Sequence, residues 1–133
     1  DRQLRDRGTP VIIAFCPLCN SSIVFDRTVF GATLRFGVSG NLHNSDLIMW
    51  DGLTETWWQQ LTGECIVGDL AGVQLEFLPS QLLSYDEYKA AFPAGEGLSL
   101  DTGFIWNYGR NPYTGYDSVD DQPFLFRGDV EAG

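Results

Sequence analysis

Positive charge is scarce in this chain. Eight Lys and Arg stand against 18 Asp and Glu, for a formal net charge of −10. Such a surface repels phosphate backbones, so no nucleic-acid partner is expected. Arg2, Arg5, Arg7 and Arg27 do not form a basic patch, because Asp is interleaved among them. The acidity reads first as a solubility device and second as a surface that attracts cations. Histidine and methionine each occur once, at His43 and Met49. No H-E-x-x-H, G-x-S-x-G, P-loop or dinucleotide fingerprint is present, so those chemistries have no sequence support. Three cysteines are too few for a disulfide framework, and their odd number leaves at least one unpaired. No apolar run approaches the roughly 20 residues needed to cross a bilayer as a helix, so no transmembrane segment is expected.

What the chain does have is apolar and aromatic content, 44% and 14%, enough to argue against disorder over most of its 133 residues. One domain is expected over residues 1–133, with residues 1–9 as a linker or a cut end. Residues 11–16 are an apolar, β-branched run between turn formers, and residues 22–29 read as its partner strand. Phe30-Gly31 marks a second hairpin. Leu34, Phe36 and Val38 alternate with polar or small residues, as in a half-buried strand. Residues 47–50 and 54–61 are further strand candidates. Residues 65–68 and 73–77 suggest a hairpin closed near Ala71-Gly72. Turn signals every 8–12 residues predict a mainly β fold, an antiparallel meander or barrel-like sheet. One short helix is expected at about 84–92, where Ser84 and Glu87 fit a capping box and Pro93 and Gly95 end the pattern. After Gly97 the chain reads as a long irregular segment wrapped over the sheet, with a last strand-like run at 123–126.

The sharpest chemical feature is Cys16-Pro17-Leu18-Cys19, at the end of one strand and inside a hairpin loop. Three readings stay open. Two thiols at this spacing aim at one metal, as in a knuckle. They also match a redox pair, in which one thiol attacks and the other resolves. The plainest alternative is a pair of small buried thiols or a local disulfide. A metal reading makes Cys16, Cys19, His43 and Met49 the candidate ligands, for zinc, iron or copper. A thiol-chemistry reading makes Cys16 the nucleophile, Cys19 the resolving thiol in a redox pair, and His43 or a carboxylate the base in a hydrolase. A lone loop histidine is more often simply solvated.

Trp57-Trp58-Gln59-Gln60 is the second notable cluster. In a strand the two indoles face opposite sides, and core packing is expected of the first. An exposed Trp beside Gln is suited to stacking on a sugar or another flat ligand. Asp101-Thr102-Gly103 matches an aspartic-protease triplet, but that chemistry needs two such carboxylates and a single copy reads better as a turn.

Several of these segments together are similar to one family. Residues 16–27 (Cys-Pro-Leu-Cys-Asn-Ser-Ser-Ile-Val-Phe-Asp-Arg), 36–51, 56–68, 98–103 and 108–113 resemble domain-of-unknown-function family 3179, over about residues 10–126. The resemblance implies no activity. It implies that Cys16 is the motif cysteine, that position 19 takes Cys or Thr, and that Cys65 is a core residue. It weighs Asn44, Asp46, Met49, Asp51, Trp57 and Gln60 above His43. Relatives carry an upstream Trp-His-Glu segment absent here, which implies a smaller donor set in this chain. Exported and lipid-anchored relatives imply an extracytoplasmic setting. The expected site therefore lies near Cys16, bordered by residues 44–49 and 57–60. Asn44, Asp46, Trp57, Gln60, Asp101 and Arg110 are candidate binding residues. A metal-binding or thiol-redox protein leads. A hydrolase with Cys16 as nucleophile, or a non-enzymatic ligand-binding module using exposed aromatics, follows. The expected partner is a small molecule or a metal.

Overall fold

Two-residue turns set the plan of the chain. In a computed structural model, which describes residues 2–101, 103, 105, 107, 109–116 and 118, three hairpins close on pairs with positive φ. These are Arg7-Gly8 (47° and 94°), Phe30-Gly31 (48° and 80°) and Asn44-Ser45 (50° and 67°). Such turns carry the twist that matches right-handed strands, so they join neighbouring strands without splaying them. Glycine supplies the second position cheaply in the first two, whereas Ser45 holds it in the third at a steric cost.

The first hairpin joins β1 (Arg2–Asp6) to β2 (Thr9–Cys16). This corrects the linker expected at the start of the chain: residues 2–6 pair with residues 9–13 as an edge strand. Arg5 and Asp6 put exposed charge on this edge, where it discourages pairing with another chain. β2 also pairs with β3 (Ser21–Asp26), from Val11 opposite Asp26 to Cys16 opposite Ser21. β4 (Thr28–Val29) and β5 (Ala32–Thr33) form the small second hairpin.

A second sheet is a meander of β6 (Phe36–His43), β7 (Asp46–Asp51), β8 (Trp57–Gln59) and β9 (Cys65–Val67). The run at 73–77 then does two jobs where a simple hairpin arm was expected. The Cys65 N–H donates to the Val73 carbonyl, and Gln74 bridges Glu64. A few residues on, β10 (Phe77–Leu78) pairs with β3, completing the order β1-β2-β3-β10 in the first sheet. Because the chain leaves one sheet to edge the other, neither closes on itself. The fold is mainly β with open antiparallel sheets, not a barrel, among the described residues.

One apolar cluster joins both sheets: Ile12, Ala14, Cys16 and Phe25 from the first, Phe36, Leu47, Met49, Trp58 and Cys65 from the second. Register decides which tryptophan enters it. Trp58 lies across from Met49 and Cys65 and is fully buried, while Trp57 lies across from Trp50 and Val67 and is 36% exposed. The expectation that Trp57 packs in the core is thus reversed. Side chains also tie the sheets together. Gln3 donates to the Phe36 carbonyl and accepts from the Phe36 N–H, and Gln60 donates to the Ala14 carbonyl.

The expected helix is α1 (Tyr85–Ala91), capped reciprocally by Ser84 and Glu87. None of its residues is buried. No described helix is long and apolar enough to cross a membrane, which says nothing of strands. The strand expected at 123–126 lies outside the described residues.

Candidate functional site

The alternation of β2 sends Ile12, Ala14 and Cys16 inward and leaves Phe15 outward, 44% exposed. Cys16 ends the strand only 1% exposed. Residues 17–20 then turn the chain back to Ser21. Pro17 fixes φ at the first turn position, and Asn20 takes the left-handed conformation at φ 47°. Cys19 therefore sits on the turn, exposed.

The β6–β7 turn packs against this hairpin. Its Ser45 carbonyl accepts from the Cys16 thiol at 3.7 Å. Asp46, the first residue of β7, is only 3% exposed. Its Oδ1 accepts from the Cys19 thiol at 3.3 Å and its Oδ2 from the Leu61 N–H at 2.9 Å. No described residue forms an ion pair with it. The two sulfurs and an Asp46 carboxylate oxygen all lie within 4.8 Å of one another. All three cysteines are free thiols.

Gln60 holds this arrangement from below. It is completely buried; its Oε1 accepts from the Ser21 hydroxyl at 2.8 Å, and its Nε2 donates to the Ala14 and Ser21 carbonyls at 3.2 and 3.4 Å. The Ser21 hydroxyl in turn lies 3.2 Å from Cys19 Sγ. One amide thus links both strands of the Cys hairpin to the second sheet and, through Ser21, to the thiol.

The electrostatics of the cluster follow from its composition. Partial burial raises the Cys19 thiol pKa most. The bond to Ser21 opposes that rise, while Cys16 and Asp46 add to it, and the thiol is pushed up to about 12. Cys19 is therefore protonated at neutral pH unless a cation arrives. Burial also pushes Cys65 up; it lies in the core, 1% exposed, with its thiol donating to the Val67 carbonyl at 3.6 Å.

The other expected residues divide. His43 ends β6 opposite Asp46 in the register but is exposed and not one of the three clustered donors. Asn44 is exposed and forms the turn that delivers Asp46. Met49 is fully buried in the apolar cluster. Trp57 stands on the outer face of β8. Asp101 is exposed, its N–H donating to the Ser99 hydroxyl. Arg110 lines a cleft of about 940 Å³ that the Cys turn forms with residues 109–116.

Two residues gain roles that the sequence did not assign them, Asp51 having been marked by the family resemblance alone. Ser21, between the expected turn and the expected strand at 22–29, carried no role of its own. Asp51, at the far end of β7, is completely buried and accepts from the N–H groups of Leu53 and Thr54, the hydroxyls of Thr54 and Thr56, and the Trp58 indole. The pattern Asp51-Gly52-x-Thr54-x-Thr56-x-Trp58 is its sequence signal.

An open-sheeted β domain with two thiols and a carboxylate at one hairpin end is thus the class that fold and site define. The chain belongs to the family described as "Protein of unknown function (DUF3179)", whose profile matches residues 5–132. No curated protein and no solved structure matches it.

Proposed function

We propose that this chain is a metal-binding protein whose centre is Cys16, Cys19 and Asp46, with zinc the best-fitting ion. One observation carries the reading. Asp46 is a buried carboxylate that faces thiols and a backbone amide, with no described cation beside it. Buried charges are normally paired or bound to metals. A tetrahedral site with Zn–S of about 2.3 Å and Zn–O of about 2.0–2.2 Å holds sulfur and oxygen about 3.5 Å apart. The 3.3 Å between Cys19 Sγ and Asp46 Oδ1 fits that edge. Thiolates suit zinc, iron and copper(I), and the hard carboxylate shifts the balance toward zinc or ferrous iron. Three protein ligands leave a fourth position for water or a ligand.

The thiol-redox and hydrolase readings have weaker support. Cys16 is 1% exposed, and its thiol donates to a carbonyl rather than to a base. Cys19 is held protonated, and the motif lies on a hairpin, where no helix dipole favours a thiolate. We also propose an extracytoplasmic setting, which rests on the family resemblance alone; recovery of the protein in the cytoplasmic fraction would count against it.

The test is competition for zinc against a chromophoric chelator, on protein reduced and stripped of metal. One zinc per chain is expected, with at least about a hundredfold loss of affinity in Cys19→Ser and Asp46→Asn. Absence of competition, or wild-type affinity retained in either variant, defeats the reading.

A further inference from the structure

The cleft beside the Cys turn is lined by aromatic rings, prolines and one arginine. One wall is the turn itself with Phe15, Pro17 and Leu18; the other is the segment 109–116 with Arg110 and Tyr113. The Tyr116 hydroxyl donates to the Leu18 carbonyl at 2.7 Å, pinning the two walls together across 98 positions of sequence. Tyr113 and Tyr116 meet edge to face, 6.2 Å between centroids. The Tyr113 N–H donates to Asn111 Oδ1, which shapes the turn that presents the ring. At about 940 Å³ the cleft lies within the usual range for small-molecule sites.

Its charge is the telling property. In a chain with 18 acidic and eight basic residues, the described lining of this cleft holds one arginine and no carboxylate. Arg110 has no described hydrogen-bond or ion-pair partner. A planar guanidinium free to bond is suited to a carboxylate or phosphate, which it meets with two parallel N–H groups. The flanking rings and prolines offer flat apolar surface to whatever carries that anion. Cys19 lines the same cleft and belongs to the thiol-carboxylate cluster.

We infer that this cleft binds a small organic anion with a planar ring, of the aromatic carboxylate class, with Arg110 holding the anion and Phe15 and Tyr113 flanking the ring. Binding of such an acid stands without a metal; only its presentation to a metal centre rests on the zinc proposal. The inference also gives Arg110 a role that the metal reading leaves unassigned.

The test is calorimetric titration of the whole chain, stripped of metal and then zinc-loaded, with three probes. Benzoate has both ring and charge, benzyl alcohol the ring alone, and acetate the charge alone. Benzoate is expected to saturate the metal-free protein and to bind at least about tenfold more tightly than either of the others. Arg110→Gln is expected to cost benzoate at least about tenfold while leaving benzyl alcohol unchanged. Tyr113→Ala is expected to weaken both ring-bearing probes and to spare acetate. Both side chains are exposed, so these variants leave the apolar cluster intact. Benzoate binding that is the same in Arg110→Gln, or no saturation by about 10 mM, overturns the inference. A chain that takes up zinc yet ignores benzoate loses this inference and keeps the metal centre. A chain that binds benzoate through Arg110 yet takes up no zinc keeps this inference and loses the metal centre.

Discussion

Two buried aspartates stand at the two ends of one strand, and they are satisfied in opposite ways. Asp51, at the end of β7, gathers two backbone amides, two hydroxyls and an indole N–H. Asp46, at its start, has one backbone amide and a thiol. A carboxylate with its acceptor sites filled by fixed donors is a structural pin, because its charge is dispersed over hydrogen bonds that exist only in the folded chain. A buried carboxylate left with a protonated thiol as its side-chain partner has capacity to spare for a cation. The shared strand makes the contrast instructive: burial alone does not distinguish a structural acid from a functional one, whereas the census of donors does.

The largest effect expected from this contrast is a double dissociation. Asp51→Ala strands the Trp58 indole, the buried Thr56 hydroxyl and the half-buried Thr54 hydroxyl, and should destabilise the fold by about 3–5 kcal/mol. Zinc affinity per folded molecule should not change. Asp46→Asn should lose zinc affinity by at least about a hundredfold while leaving the denaturation midpoint of the metal-free protein nearly unmoved. Denaturant titration and chelator competition on both variants read the two axes. Equal losses on both would show that the aspartates play one role.

Gln60 sharpens the comparison, because it supports the Cys hairpin without offering a ligand. Gln60→Leu keeps most of the volume but leaves the Ser21 hydroxyl and the Ala14 and Ser21 carbonyls without their side-chain partner. A stability loss of about 1–3 kcal/mol is expected, with zinc affinity down by about tenfold.

The pH dependence isolates Asp51. Burial opposes its ionisation, but the bonds from Thr56, Trp58 and Thr54 outweigh it and hold the carboxyl at about 2. The ordinary unfolded value is about 3.9. A folded pKa below the unfolded one contributes stability above the unfolded value, lost as pH falls through the folded value. The contribution is about 2 kcal/mol at neutral pH, disappearing between about pH 4 and pH 2. Acid titration of stability should show this limb in the wild type, and it should be missing from Asp51→Asn.

The smallest effect expected is at α1. Ser84→Ala removes the reciprocal cap, but no helix residue is buried. Amide exchange within residues 85–91 should quicken several-fold while the global midpoint stays put.

Local features of this fold were legible in the sequence, whereas features set by register or by contact between sheets were not. The Phe30-Gly31 turn, the strands around the Cys motif and the Ser84–Glu87 cap announce themselves within a few residues. β1 was missed because an edge strand with Arg2, Arg5 and Asp6 among its five residues has the composition of a linker. Which of Trp57 and Trp58 enters the core depends on pairing with β7 and β9, which a run of two indoles does not reveal. Cys16 and Cys19 were visible as a pair. That Asp46 joins them, while His43 just across the turn does not, depends on one hairpin end packing against another 27 positions away. Backbone at Asn44 and Ser45 in the left-handed region makes that approach, and Ser45 carries no glycine-like signal.

The most direct measurement is the absorption spectrum of the chain loaded with cobalt(II), a spectroscopic stand-in for zinc. Intense tetrahedral ligand-field bands with thiolate charge-transfer absorption are expected at one equivalent. The charge-transfer intensity should fall by about half in Cys19→Ser, as one of two thiolates is lost. In Asp46→Asn it should persist while the ligand-field bands shift. A weak octahedral spectrum without thiolate absorption, or one indifferent to Cys19→Ser, would contradict a centre built from Cys16, Cys19 and Asp46.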